Sequence, residues 1–474
     1  MTERIIHWFR RDLRIHDNTA LHKAVTSGIP VIPLFIIDDT LLQSPRVGAP
    51  RMKFMLQALR SLDKTLQLYG AKLIVRRGKP LDVLQQFITE TGATALHFNA
   101  DYSPYAQHRD NAVTKSLKVN VHSYDDALLL PPGSVMTKSG DPYKVFTPFK
   151  RAWNEKEKPA IIETAFSRAM FDAHLGEIHS ERILSLADLG FAATIDIPEA
   201  SEAQAHHLLD AFISEDIAYY DKTRNTLVIS PFGKNRPKGT SYLSPYLRLG
   251  LLSPRQAYWA ARNAYRQTNS QAHQNAIATW VSELTWREFY MHILYFYPHV
   301  MQRDFVETYQ SLAWEEDPHG LQAWKDGMTG YPIIDAPMRQ LKAIGWMPNR
   351  ARMIVASFLT KDLLIYWKHG DIHFMQHLID GDPAANNGGW QWAAGTGTDA
   401  QPYFRIFNPV SQSEKFATPD YLRYWLPELK DVPDDMLHTP WKMEKAPDDY
   451  PAPIVDHQKA RERTLAAFKA ARGE

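Results

Sequence analysis

Acids, amides and indoles are concentrated in residues 380–408, whose first part reads DGDPAANNGGWQW. Its two carboxylates could serve as general bases, metal ligands or partners of nucleotide hydroxyl groups, and its two indoles could line an apolar wall. Asn and Gly favour turns and caps over helix interiors, so Asn386–Gly389 predicts an ordered turn rather than a helix. We interpret the segment as the wall of a site. The alternative, a surface loop, must account for two indoles within three residues.

A second group of polar and aromatic side chains shares one face of a predicted helix, Ala272–Tyr297. Trp280, Glu283 and Arg287 lie on that face, and Trp286 lies near it. An acid and an arginine beside indoles are unusual in a core, where charges are excluded unless they are paired. The face therefore indicates a site, with a structural Glu283–Arg287 ion pair as the alternative.

Basic side chains are concentrated between residues 221 and 262, although the whole chain has a formal net charge of only +1. The single acid in this range is Asp221, and the basic residues are Lys222, Arg224, Lys234, Arg236, Lys238, Arg248, Arg255 and Arg262. Such a local excess is typical of a phosphate-binding surface. Within it, the turn Gly239–Pro245 offers hydroxyl and backbone N–H donors that can hold a phosphate, although similar turns are common helix caps. The helix start Asn349–Met353 adds two arginines where a helix favours anions.

Several kinds of chemistry are disfavoured by the sequence. The absence of cysteine excludes disulfides, thiolate metal sites and iron–sulfur clusters. His373 and His377 stand one helical turn apart, a spacing that can bind metal, but no Glu is placed as a general base, so packed histidines are the favoured interpretation. No nucleophile–base pair is evident. These features favour a site without metal whose chemistry is carried by an organic cofactor.

The elements that must position these residues change in type along the chain. Short apolar runs predict buried strands over Ile5–Phe9, Val31–Ile37, Lys72–Val75, Ala95–Phe98 and Val119–Tyr124. Between them, Arg51–Tyr69 and Leu81–Thr91 have helical periodicity, and this alternation predicts a doubly wound parallel sheet. Ligands of such sheets bind beyond the carboxyl ends of the strands, which points to Phe9–Arg14, Asp38–Asp39 and Asn99–Tyr105.

Helical periodicity dominates the second half of the chain. It predicts helices over Ala205–Ile213, Ser253–Arg266, Ala272–Tyr297, Tyr331–Ile344, Asn349–Trp367 and Asp371–Leu378. The fold class is therefore α/β, with an N-terminal sheet domain at residues 1–130, a long connector laid over the surface at 131–204, and an all-helical domain at 205–474. Arginines near the N-terminus and the lack of a long apolar run predict a cytoplasmic protein without a membrane span.

Six motifs, in this order, resemble the photolyase/cryptochrome flavoprotein family over nearly the whole chain. They are WFRRDLR from Trp8, GTSYLSP from Gly239, WREFY from Trp286, TGYPIIDA from Thr329, GWMPNR from Gly345 and DGDPAANNGGWQW from Asp380. The resemblance implies the same three-part layout as above and a non-covalent FAD in the helical domain.

The family pattern also implies which residues contact FAD. An amide at Asn386, the position beside flavin N5, supports reduced flavin without adding a negative charge. Arg352 and Asp380 match an ion pair along the isoalloxazine. The full implied set is Tyr220, Thr240, Ser241, Tyr242, Leu243, Ser244, Trp280, Glu283, Arg287, Asn349, Arg352, Asp380, Gly381, Asp382 and Asn386.

The resemblance further implies light-driven repair of cyclobutane pyrimidine dimers in DNA. Excited reduced FAD donates an electron to the flipped-out dimer, the ring splits, and the electron returns. Extruding a poorly stacked lesion costs less than extruding a normal base, and indoles can accept its faces. The implied reaction residues are Glu283, Trp286, Met353, Asn386 and Trp392, and the implied electron path is Trp314, Trp367 and Trp390. The implied DNA contacts are Arg224, Glu283, Trp286, Arg287, Arg350 and Gln412.

Substitutions within the motifs favour a class I cyclobutane-dimer photolyase. The run after Trp346 lacks the histidines of photolyases for the (6-4) lesion, and Asn386 replaces the acid usual in plant-type cryptochromes. Residues 101–107 lack the Asn-Glu pair of folate-binding members, which favours a deazaflavin-type antenna chromophore over flavin mononucleotide, folate or none. Its candidate contacts are Asp38, Arg51, Asp101, Arg109 and Arg248. The loop between Arg224 and Thr240 is longer than the family pattern.

Two other functions remain as alternatives. A cryptochrome-type blue-light receptor would bind FAD without repairing DNA, and a nucleotide-binding α/β protein with a helical partner domain would lack a flavin spectrum. The favoured hypothesis predicts a monomer of bacterial, nucleoid-associated type, with dimer-containing DNA as its partner and no obligate protein partner or membrane.

Overall fold

A computed structural model describes residues 3–192, 195–230 and 239–474. The chain divides into two compact units. The sheet unit comprises Met1–Thr194, Pro198–Tyr219 and Ser241–Pro298, and the helical unit comprises Ile195–Ile197, Tyr220–Thr240 and His299–Glu474. These units group residues by contact, whereas the division at 130 and 204 follows the type of secondary structure and stays a prediction.

The sheet unit contains a five-stranded parallel sheet in the order β3-β2-β1-β4-β5. The strands are β1 Ile5–Phe9, β2 Val31–Asp38, β3 Ile74–Gly78, β4 Ala95–Asn99 and β5 Asn120–Tyr124. Every residue of β1, β2 and β4 is buried, as expected for parallel strands covered on both faces. The predicted doubly wound α/β fold is confirmed, with β1 as predicted and the ends of the other strands shifted by at most three residues.

The helices of the sheet unit include the two predicted between strands. They are α1 Thr19–Val25, α2 Asp39–Leu42, α3 Ala49–Gln67, α4 Pro80–Thr91, α5 Pro104–Ser116, α6 Phe146–Glu155 and α7 Glu202–Ala211. A π-helix, Phe212–Asp216, follows α7. Beyond α8 Tyr220–Thr223, which belongs to the helical unit, the sheet unit continues with α9 Ser244–Leu249, α10 Pro254–Gln267 and α11 Gln271–Phe296.

The segment predicted as a surface connector contains a helix with one buried apolar face. Phe146, Phe149 and Trp153 fall on one face of α6 and are nearly inaccessible to solvent. They pack in one apolar cluster with Phe289 and Ile293 of α11. The other face of α6 is exposed, so the helix lies at the surface with its apolar face against the helix that carries the candidate residues Glu283 and Trp286.

The helical unit is built from short helices around one large apolar cluster. Its remaining α-helices are α12 Pro318–Asp326, α13 Pro332–Ile344, α14 Asn349–Ser357, α15 Trp367–His377, α16 Pro383–Ala394, α17 Pro409–Phe416, α18 Pro419–Trp425 and α19 His457–Ala471. The predicted continuous helix Asn349–Trp367 is wrong. It passes into a π-helix at Phe358–Asp362, and Leu364 then has a left-handed φ of 54°, which ends the helical repeat before α15 begins.

The segment Asn386–Gly389, predicted as a turn, lies inside α16. Asp382 caps this helix by accepting hydrogen bonds from the backbone N–H groups of Ala384 and Ala385, at 2.9 and 3.2 Å. The amides of Asn386 and Asn387 donate to other segments instead of competing with the helix backbone. The turn prediction fails because tertiary partners satisfy these polar side chains. Within the described ranges, no helix is long and apolar enough to cross a membrane.

Candidate functional site

Several candidate residues of the sheet unit lie on α11, and their side chains make hydrogen bonds to neighbouring segments. Trp280 is buried and its indole N–H donates to Ser241 Oγ over 3.3 Å. Arg287 donates to the carbonyl oxygens of Ala127 and Leu247, at 2.8 and 3.4 Å. These bonds join the helix face to the turn before α9, to the segment after β5 and to α9 itself.

Trp286 is held by ring packing. The Phe146 ring lies parallel to the indole, with ring centroids 3.5 Å apart and an interplanar angle of 8°. Tyr290 and Phe289 contact the same indole at centroid distances of 5.5 and 5.7 Å. Trp286 remains half-buried, as does Glu283 one turn earlier. A flat ligand can pack against a partly exposed indole, and a carboxylate nearby can contact a polar edge of the same ligand.

The turn before α9 has an unusual backbone. Tyr242 adopts a left-handed φ of 54° although its bulky side chain is buried, a conformation that costs energy and needs support from its surroundings. Leu243 is also buried, and Thr240 and Ser241 are half-buried. Thr240 lies in the helical unit and Ser241 to Ser244 lie in the sheet unit.

In the helical unit, an ion pair joins α14 to the segment after α15. Arg352 Nη2 lies 2.8 Å from Asp380 Oδ2, and Arg352 Nε donates to the carbonyl oxygen of Met347 over 2.9 Å. The Asp380 side chain is 4% exposed and that of Arg352 is 26% exposed. The predicted Arg352–Asp380 pair is thus present, with the acid deeply buried.

Asn386 is fixed by a carboxylate that the sequence did not single out. Its side-chain nitrogen donates to Asp371 Oδ1 over 2.6 Å and to the Asp371 carbonyl oxygen over 3.0 Å. This bond links α16 to the fully buried Asp371 of α15. A carboxylate at position 386 would face another carboxylate there, so the position requires a donor on structural grounds alone.

The three tryptophans of the predicted electron path differ in exposure. Trp390 and Trp367 are buried, while Trp314 is half-buried. The Tyr366 ring lies between two of them, with centroids 5.3 Å from Trp367 and 5.6 Å from Trp314. Trp390 approaches α15 where a Cβ on Gly370 would lie only 2.1 Å from the indole, so glycine is required there.

Arg350 belongs to a basic and aromatic group on α14 and α17. Its guanidinium lies 4.5 Å from the Phe416 ring centroid, and its Nε donates to Asn225 Oδ1 over 3.1 Å. Burial lowers the pKa of Arg350, and the charge of Arg224 lowers it further. Gln412 lies on α17 and Trp392 on α16, both half-buried. Met353 and the exposed Asn349 are neighbours, with Asn349 Nδ2 3.9 Å from the Met353 sulfur.

Among the described basic residues of the segment 221–262, Arg255 is not available to a phosphate-binding surface. Arg255 is 3% exposed and pairs with Asp17 and Asp126 at 2.9 and 2.7 Å, so it stabilises the fold of the sheet unit. Lys234, Arg236 and Lys238, and with them most of the long loop after Arg224, lie outside the described residues. Arg224 remains on the helical unit, with its guanidinium 5.7 Å from the Tyr220 ring centroid.

Four of the five predicted antenna contacts are linked at the carboxyl ends of the strands. Asp38 accepts a short hydrogen bond from Tyr105, whose ring lies 5.6 Å from the Arg109 guanidinium. Burial alone would raise the pKa of Asp101, but Arg11, Arg248 and Arg109 hold it well below its usual range. Arg51 donates to the Arg46 carbonyl oxygen over 2.7 Å.

His373 and His377 pack against each other on α15 with ring centroids 4.2 Å apart. Burial lowers the pKa of His373 to about 3, so its imidazole is neutral at physiological pH. Among the described residues, no three acidic or histidine side chains are arranged as a metal site.

Three residues of this arrangement were not predicted from the sequence: Phe146, Asp371 and Tyr366. Phe146 and Asp371 contact site residues that are distant in the chain, and no local pattern signals such contacts. Tyr366 precedes Trp367 directly, so its proximity to that indole could have been inferred, but its contact with Trp314 could not.

Two family models match the chain. Residues 5–165 match the DNA photolyase family, and residues 280–470 match the FAD binding domain of DNA photolyase. The chain is 42% identical to the deoxyribodipyrimidine photo-lyase of Halobacterium salinarum, over 99% of both sequences. It is 40% identical to that of Escherichia coli, over 100% of this chain and 99% of the relative.

Solved structures agree with these matches. A class III photolyase from Agrobacterium tumefaciens is 37% identical, with a TM-score of 0.90 over 100% of this chain and 98% of its own. A cryptochrome from Synechocystis sp. PCC6803 is 28% identical, with a TM-score of 0.87 over 98% of this chain and 99% of its own. Both have the sheet and helical parts found here. The chain therefore belongs to the DNA photolyase family and carries its FAD-binding domain.

Proposed function

We propose that this protein repairs cyclobutane pyrimidine dimers in DNA with light, using reduced FAD. The observation that carries the proposal is the pair Glu283 and Trp286 on α11, a carboxylate and a partly exposed indole one turn apart. A pocket for a flipped-out lesion needs an apolar wall and a polar contact at the ring edge, and this pair offers both. The full-length relatives named deoxyribodipyrimidine photo-lyase support the same activity.

The residues of the helical unit fit FAD. When bound and excited by light, reduced FAD supplies the electron for ring splitting. The chain supplies the positively charged Arg352 beside Asp380, the capping carboxylate Asp382, and Asn386. The nitrogen of Asn386 is engaged by Asp371, so its side-chain oxygen is the atom that can accept a hydrogen bond from a ligand. Gly381 lies between the two acids and, like Asp380, is buried.

The remaining residue roles extend this proposal. Met353 and Trp392 would line the lesion pocket, and Arg224, Arg350 and Gln412 would contact the DNA backbone. Trp390, Trp367 and Trp314 would carry electrons toward FAD, a role supported by the burial of Trp390 and Trp367 and the greater exposure of Trp314. Tyr220 and Thr240 to Ser244 would lie on the phosphate side of FAD, and Trp280, Arg287 and Asn349 would line its pocket.

Two finer assignments belong to the proposal. Class I is supported by Asn386 and by the lack of histidine in residues 347–353, although one similar structure is a class III photolyase. A deazaflavin-type antenna is supported by the linked group Asp38, Asp101, Arg109 and Arg248. An archaeal photolyase structure from Sulfolobus tokodaii that is 31% identical contains two FAD molecules, so a flavin antenna is the competing assignment. Extraction of the bound chromophores and their absorption spectra would distinguish these antennas.

The direct test is to irradiate the reduced holoprotein with dimer-containing DNA under blue light. We expect dimers to disappear in the light and to persist in the dark. Retention of dimers in a preparation with intact reduced FAD would contradict the proposal. It would favour the cryptochrome alternative, which predicts equal affinity for damaged and undamaged DNA.

A further inference from the structure

The overlap of Phe146 with Trp286 restricts the indole. Their ring centroids are 3.5 Å apart and their planes differ by 8°. A half-buried tryptophan on a helix would otherwise change side-chain rotamer readily, because partial exposure leaves room for other orientations. With one indole face covered by Phe146, Trp286 can offer a ligand at most its other face and its edge.

Phe146 is itself held by a rigid support. It begins α6, and Phe149 and Trp153 on the same helix face pack with Phe289 of α11 in one buried cluster. Beyond these rings, the buried Glu288 accepts hydrogen bonds from the Trp153 indole and the Leu129 backbone, both at 2.5 Å.

Glu288 thereby joins α11 to both ends of the segment that carries Phe146. It also accepts from the Leu130 backbone N–H over 3.3 Å. Burial raises the pKa of Glu288 to about 7, and the donors from Trp153 and Leu129 oppose that rise. Since Glu288 is two residues from Trp286, the same helical turn carries both the anchor and the anchored indole.

We propose that Phe146 is a positioning residue that fixes the plane of the Trp286 indole and so sets how strongly the protein distinguishes a dimer from undamaged DNA. The proposal rests on the proposed function. Phe146 acts through Trp286, and Glu288 acts through the packing of α6 on α11. A segment that looks like a connector in the sequence thus contributes to the selectivity of the lesion pocket.

The test compares dark binding of the FAD-loaded protein to matched duplexes with and without a single dimer. The quantity measured is the ratio of the two dissociation constants, undamaged over damaged. We expect Phe146→Ala to lower this ratio about fivefold to tenfold, the upper part of the range that corresponds to loss of one aromatic stack. Phe146→Tyr, which keeps a flat ring, should restore the ratio. Phe146→Leu, which keeps most of the volume without a ring, should not restore it.

Phe149→Ala is the matched control. It removes the same side chain from the same helix and cluster, but the ring contacts of Phe149 are with Phe289, His292 and Tyr143. Its ratio should stay within about twofold of the parent value. Equal loss in Phe149→Ala and Phe146→Ala would overturn the proposal, because general loosening of the core would then explain both.

Trp286→Ala separates this inference from the function on which it rests. If Trp286→Ala lowers the ratio and Phe146→Ala does not, the positioning role is wrong and the proposed function stands. If the parent protein shows no preference for damaged DNA, the proposed function itself fails. All variants are compared at temperatures well below their own unfolding midpoints.

Discussion

The two groups of candidate site residues are stabilised by different forces. On α11 of the sheet unit, Trp286 is held by a stack of rings, and the charged groups nearby donate to or accept from the backbone. In the helical unit, Arg352 and Asp380 form an ion pair, Asp382 caps α16, and Asn386 is bonded to Asp371. The first group depends on shape, whereas the second depends on individual polar partners.

This difference determines how each region should respond to substitution. Removing one partner of a buried ion pair leaves the other charge without compensation, which is costly. Removing one ring from a stack loses the stability that the buried ring contributed and also frees the orientation of its neighbour. We therefore expect changes in both regions to affect unfolding, and ring changes in the sheet unit to affect ligand discrimination as well.

Among the polar changes, Arg352→Ala should give the largest effect on stability. It leaves the Asp380 carboxylate, 4% exposed, without its guanidinium partner. We expect a loss of about 3 kcal/mol in the free energy of unfolding, at the low end for buried pairs because Arg352 is partly exposed. Urea unfolding of the protein in excess FAD would measure it.

The double variant Arg352→Ala with Asp380→Asn provides the control. Neutralising the acid should recover part of the lost stability, since the uncompensated charge is then absent. If the double variant is as unstable as the sum of the single variants, the ion pair is not the source of the effect.

Glu288→Gln tests the anchor of the ring-packed region through its dependence on pH. Burial raises the pKa of Glu288 to about 7, so the folded state keeps a proton that the unfolded state releases at lower pH. The stabilisation by protonated Glu288 is fully present below the pKa of this carboxyl in the unfolded state, and it is lost as pH rises through 7. Glutamine does not titrate, so the parent should lose about 2 kcal/mol relative to Glu288→Gln between pH 5 and pH 7. If the difference in unfolding free energy between the parent and Glu288→Gln does not vary with pH, the pKa of the buried Glu288 carboxyl is not raised.

Asp382→Ala should have a smaller effect. The carboxylate of Asp382 accepts from two backbone N–H groups at the start of α16. Loss of such a cap costs about 1 kcal/mol, and Asp382→Ser should retain most of it. Thermal unfolding of both variants would measure the difference. Equal destabilisation by Ala and Ser would indicate that Asp382 acts through something other than the cap.

Arg350→Ala should have the smallest effect on the free energy of unfolding. It should instead change how strongly the affinity for DNA depends on salt concentration. A side chain that neutralises one phosphate contributes about 0.9 to the slope of log affinity against log salt concentration. We expect Arg350→Ala to reduce the slope by about that amount, measured by titration at several salt concentrations. Lys342→Ala removes one charge from the exposed surface of α13 and should leave the slope unchanged. Equal slopes for both variants would show that Arg350 does not contact a phosphate.

The sequence predicted the strands and most helices because their apolar periodicity is local. It also predicted the pairing of Arg352 with Asp380, through the family pattern rather than through spacing. It failed at Asn386–Gly389 because intrinsic preferences for turns are weak compared with a cap, a buried acceptor and two tertiary amide bonds. It failed at residues 358–364 because residues 354–365 are all buried, so their apolar pattern has no period in which the change from α-helix to π-helix could appear.

By itself, then, the sequence determined the fold class, the family and the chemical types gathered at the site. Only the tertiary structure decided which side chains contact these site residues and keep them in position. Phe146 covers Trp286, Asp371 engages Asn386, and Glu288 anchors α6 to α11. Each of these contacts joins residues far apart in the chain. Local propensity carries no information about such pairs, because their energy arises only when folding buries two distant segments against each other.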